Sequence, residues 1–94
     1  MNEKQKTVKA IKENFLSIYD IEMIQNMIID NYTIYKARVM YLTYKGFLNK
    51  EIADLLNIEV EAVKGHHTSL YKKLSINKPK KQNLIKYISG RYSE

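Results

Sequence analysis

The chain has 94 residues, enough for one domain with a modest core. It has no cysteine, which excludes disulfides and thiolate zinc sites, and its apolar runs fall short of the roughly 20 residues that cross a bilayer. Sixteen Lys and Arg against ten Asp and Glu leave a net charge of +6. The excess is uneven: residues 1–31 hold four basic and five acidic side chains, residues 32–94 twelve and five. That pattern suits either a polyanion-binding unit behind a near-neutral appendage or solvated lysines on a helical surface. "MNEKQKTVKA" lacks the apolar core of a signal peptide, so a soluble cytoplasmic protein is the expectation.

One proline and three glycines (Gly46, Gly65, Gly90) punctuate the chain, which favours an all-α fold. From Thr7, apolar residues Val8, Ile11, Phe15 and Ile18 recur at three- and four-residue steps, an amphipathic helix. Asp20 is a candidate cap for a second segment carrying Ile21, Ile24 and Ile28, so residues 7–30 form one helix or two. Thr33 is a good N-cap for a helix running to Lys45, where Gly46 stops it in the left-handed manner and Phe47 folds back. Asn49 is expected to cap the next helix, Lys50 to about Leu56, with Ile52, Leu55 and Leu56 on its core face and Ala53 allowing close approach. Asn57 suits a left-handed turn above Ile58, and a helix follows from about Val60 with Val63, His67, Leu70 and Leu74 on one face. "SINKPKKQ" breaks it, and Lys80 to about Ser89 gives a last helix with Leu84, Ile85 and Ile88 buried.

A short helix, a turn at 57–59 and a longer helix make a helix-turn-helix pattern. At about 100° per residue, Glu61, Gly65, Thr68 and Lys72 point away from the core face of the second helix, with Lys64 on one shoulder. A helix in the major groove reads bases from the outward face of its N-terminal turns, which nominates Lys64, Gly65 and Thr68. Candidates for phosphates are Asn49 and Lys50 on the first helix, His66, Lys72 and Lys73 on the second, and Lys80 and Lys81 in the flank. His66 can instead support the helix, and His67 falls on the core face. Two histidines without a third ligand do not suffice for a metal site, and no nucleophile–base constellation points to an enzyme or a cofactor. Tyr32, Tyr35, Tyr41 and Tyr44 step round one helix, and packing at its edges accounts for them better than base stacking.

The stretch from Gly46 to Ile76 also resembles the LuxR/GerE-type DNA-binding domain. The resemblance rests on Gly46-Phe47-Leu48-Asn49-Lys50-Glu51-Ile52-Ala53, Leu56-Asn57-Ile58, Ala62-Val63-Lys64-Gly65-His66 and Lys73-Leu74-Ser75-Ile76, with Thr33 where the family opens its first helix. It implies a four-helix domain over residues 32–90, preceded by a helical extension over 1–31 and followed by a tail at 91–94. It further implies base reading at the positions of Lys64, Gly65 and Thr68, and dimerisation through the last helix, with Leu84, Ile85 and Ile88 as either core or dimer seam. Residues 1–31 are too short for the receiver or ligand-binding domain usually placed ahead, so a free-standing regulator of transcription is expected. The extension is then a brace, a dimer arm or a docking site for a regulatory partner. Departures are plain: Lys36 and Arg38 stand where the family has glutamates, Glu59 where it has a capping serine, and Ala62 where it has threonine. From Lys50 to Leu74 four basic residues meet four acidic ones, so the motif is neutral. That neutrality favours an alternative, a helix-turn-helix that binds another regulator or RNA polymerase instead of DNA.

Overall fold

A computed structural model describes residues 18–92, with side chains from residue 21, as five helices. The helical periodicity read over Val8, Ile11 and Phe15 lies outside the described residues. The helices are α1 (Ile18–Ile29), α2 (Ile34–Tyr44), α3 (Asn49–Leu56), α4 (Val60–Lys73) and α5 (Lys81–Tyr92). Asp20 lies inside α1 and opens no new segment, because the helix is already under way at Ile18.

Helix α2 is the centre of the fold and touches each of the other four. Its Ala37, Val39, Met40, Tyr41, Leu42 and Thr43 are all buried, a run on successive sides that the surrounding helices cover, while its first turn keeps Ile34 and Tyr35 exposed. Thr33 caps it as expected, its hydroxyl accepting from the Lys36 N–H at 3.2 Å. α1 lays Met23, Ile24 and Met27 into the same core, so this part of the extension braces the domain. α5 closes the other side with Leu84 and Ile88, both wholly buried.

Four of the helices end by one device. A residue in the left-handed region turns the chain, its N–H bonding three residues back, and the next residue's N–H reaches five residues back. These turn residues are Asn31, Gly46, Asn57 and Ser75, and the apolar residues after them are Tyr32, Phe47, Ile58 and Ile76. Each apolar side chain folds under the helix it has just left, Tyr32 and Phe47 fully and Ile58 and Ile76 by half. The second and third of these turns hold α3 and α4 at the angle that makes the helix-turn-helix.

Two boundaries differ from expectation. Asn49 is the first residue of α3 and Leu48 is its N-cap. Glu51 fixes this register, its carboxylate accepting from the Leu48 N–H at 2.8 Å, while the Asn49 side-chain oxygen turns inward and meets no hydrogen-bond partner. Residues 91 and 92 are the last turn of α5 rather than a tail. Arg91 pairs with Asp30 at 3.0 Å and the Tyr92 hydroxyl donates to the other oxygen of the same carboxylate. These bonds hold the Asp30 carboxyl below the usual carboxylate range and tie the end of α5 to the end of α1.

Candidate nucleic-acid interface

α4 begins weakly and is positioned firmly. Glu59 takes the N-cap backbone conformation but makes no side-chain capping bond, and only its carbonyl accepts from the first turn, from the Ala62 and Val63 N–H groups. Firmness comes from the inner face, where Val63 and Leu70 are wholly buried and His67 is 4% exposed. His67 is satisfied by a relay into α2. The Thr43 hydroxyl donates to the Val39 carbonyl at 2.7 Å, so its oxygen must accept from His67 Nε2–H at 2.8 Å. The imidazole is therefore the neutral Nε2–H tautomer. Burial, with the charges of Lys81 and His66, lowers its pKa to about 4.

The outer face carries Glu61, Lys64, Gly65, Thr68 and Lys72, all exposed. Gly65 lies mid-helix, and a methyl group built on it would meet nothing within 4 Å. It is neither a helix end nor a packing defect. At Gly65 the backbone of this face is bare, with Lys64 on one shoulder and Thr68 one turn on. Lys64 is not wholly free: its ammonium bonds Glu61 at 3.3 Å, an exposed pair that costs little to break.

The lysines proposed from sequence to touch phosphates divide into two groups. Lys50, Lys72 and Lys80 are exposed, and their ammonium groups have no partner among the described residues. Lys73, also exposed, and half-buried Lys81 each have a partner within the domain. The Lys73 ammonium sits 3.9 Å from the centre of the Tyr32 ring, and Lys81 donates to the Phe47 carbonyl at 3.1 Å. Both hold helices together, since Tyr32 precedes α2 and Phe47 precedes α3. His66 is half-buried on the other shoulder of α4, and burial and the nearby Lys36 charge lower its pKa, which favours the neutral ring. Lys36 itself reaches from α2 to donate to the Ser69 hydroxyl oxygen at 2.8 Å. No spacing announces that contact, which joins residues 33 positions apart.

The seam assigned to Leu84, Ile85 and Ile88 is not available as such. Leu84 and Ile88 are wholly buried within the subunit, because α5 must cover α2 and α1, and only Ile85 keeps part of its surface. Tyr32, Tyr41 and Tyr44 pack as expected, and Tyr35 is exposed. Among the described residues no helix is long and apolar enough to cross a membrane, and no three His, Asp or Glu side chains gather as metal ligands would.

A sequence model of the family described as bacterial regulatory proteins, luxR family, matches residues 36–87, more than half of the chain. The matched segment holds all but the first two residues of α2, all of α3 and α4, and half of α5. No curated protein and no solved structure matches the chain.

Proposed function

The chain belongs to the luxR family of bacterial regulatory proteins, DNA-binding regulators of transcription, and from that premise we propose that it reads double-stranded DNA sequence-specifically with α4 in the major groove. The observation that carries this reading is the exposed strip Lys64, Gly65, Thr68 and Lys72 on a helix whose opposite face is locked to the core. Lys64 and Thr68 supply a long donor and a short donor–acceptor for base edges, and Gly65 between them lets the backbone come close. Lys50, Lys72 and Lys80, with Asn49 and His66, contact phosphates. Reading a two-fold operator requires two copies, and the C-terminal helix would offer Ile85 and its exposed neighbours to a second one.

Selection from random duplexes tests this. One enriched motif is expected for the wild type, with Lys64→Ala and Thr68→Ala each relaxing preference at one position by roughly 1–3 kcal/mol. Unchanged preference in both variants would refute the assignment of α4.

A second reading has an observation of its own. Lys64 is tied to Glu61, and Glu59 adds a second negative charge at the mouth of the groove-facing helix, a poor surface for phosphates. A helix-turn-helix of that kind would dock on another regulator or on RNA polymerase. It predicts no enriched duplex and a stoichiometric protein partner recovered through the α4 face.

A further inference from the structure

We propose that Lys36 and Ser69 form a phosphate clamp, contributed jointly by α2 and α4, that grips one DNA strand beside the base-reading face. The proposal rests on the DNA-reading function above and adds to it a site that joins the helix-turn-helix to a helix outside it. Lys36 donates to Ser69 Oγ at 2.8 Å on the exposed shoulder of α4. An ammonium has three N–H groups, and this bond uses one, leaving two for another acceptor. Ser69 accepts through a lone pair, so its own O–H remains free to donate. Two donor atoms at that spacing suit the two anionic oxygens of a single phosphodiester, which could take one bond from each.

Placement favours an anion here. Ser69 lies one residue after Thr68 and one turn after Gly65, at the rim of the face proposed to enter the groove. Lys36 is close enough to His66, on the same shoulder, for its charge to disfavour the imidazolium there. The helix-turn-helix motif is itself neutral, and Lys64 shares its charge with Glu61. Lys36 therefore supplies positive charge from a helix that a count over the motif leaves out. As an internal tether alone, an exposed lysine–serine bond would contribute little to stability.

Binding of the full chain to a selected duplex and to a scrambled one, across a salt series, decides the matter. Lys36→Ala is expected to weaken both complexes by a similar factor, about 3- to 10-fold, and to reduce the slope of log K against log salt by about 0.9. Lys36→Arg should keep the wild-type slope. Ser69→Ala should weaken both complexes while leaving the slope, and neither alanine variant should shift the melting temperature. An unchanged slope in Lys36→Ala, a loss confined to the selected duplex, or a melting temperature that falls with the affinity would overturn the clamp. A wild type that binds neither duplex would overturn the DNA-reading function, and the clamp with it, whereas wild-type binding with an unaltered slope in Lys36→Ala overturns the clamp alone.

Discussion

Gly65→Ala separates the fold from its proposed use at one position. Gly65 sits within the 14 residues of α4, its φ is not positive, and an added methyl meets nothing within 4 Å. No packing is gained and no strain is introduced, so the intrinsic difference between glycine and alanine in a helix is all that remains. That difference is about 0.8–1.0 kcal/mol in favour of alanine, partly because the unfolded chain loses freedom. For a domain of this size it corresponds to a rise of about 4–8 °C in melting temperature. In urea the midpoint should rise with the slope unchanged. DNA affinity should move the other way, falling several-fold or more, because the new methyl stands where the backbone is proposed to approach base edges. Gly46→Ala is the control: its φ of +92° strains any L side chain, and a loss of about 1–3 kcal/mol is expected. If Gly65→Ala lowers stability, the reading of α4 as a regular, unobstructed helix is wrong. If it raises stability and leaves affinity for every duplex untouched, α4 does not approach DNA at this point.

Other expectations follow from single contacts. His67 has a folded pKa of about 4 against about 6.5 unfolded, so the unfolded chain takes up the proton first as pH falls. The stability it protects is complete above pH 6.5 and is lost between there and pH 4, up to about 3 kcal/mol; urea titrations at several pH values should show this slope reduced in His67→Gln, and an equal slope would refute the assignment. Asp30, whose pKa is lowered, begins to lose its contribution only as pH falls through the ordinary carboxylate value and goes on losing it below, so most of its window is more acidic than that of His67. Glu59→Ser supplies the missing cap of α4 and removes a negative charge near the proposed phosphates, so stability should rise by about 0.5–1 kcal/mol while DNA affinity also rises. Improved stability with unchanged affinity would place Glu59 away from DNA. Leu84→Ala should cost about 2–5 kcal/mol in a manner independent of protein concentration, since Leu84 is buried inside one subunit. A cost that vanishes on dilution would restore it to a dimer seam.

How much of this was legible beforehand depended on how far apart the interacting groups lie in sequence. The inner faces of α4 and α5 were, because Val63, His67, Leu70, Leu84 and Ile88 recur at helical spacing and burial follows spacing. The turns at Gly46-Phe47 and Asn57-Ile58 were legible for the same local reason. Those at Asn31-Tyr32 and Ser75-Ile76 use the same geometry but went unread, since Asn and Ser serve equally as loop residues and caps. The pairing of such a residue with an apolar one directly after it is the signal that would have found them. The functional lysines were a harder matter. Periodicity fixes where a Cα faces, but four methylenes let the ammonium reach elsewhere, and its destination is set by another helix. Lys73 and Lys81, candidates for phosphate from their positions, also meet the Tyr32 ring and the Phe47 carbonyl, partners that no spacing announces. Lys36 was noted only as a departure at a glutamate position and instead reaches the rim of α4. The neutral charge of the helix-turn-helix, which argued against DNA, is therefore an incomplete sum. It omits Lys36, which tertiary packing brings to the rim of α4 from outside the motif, and with Lys36 the basic residues outnumber the acidic ones by one.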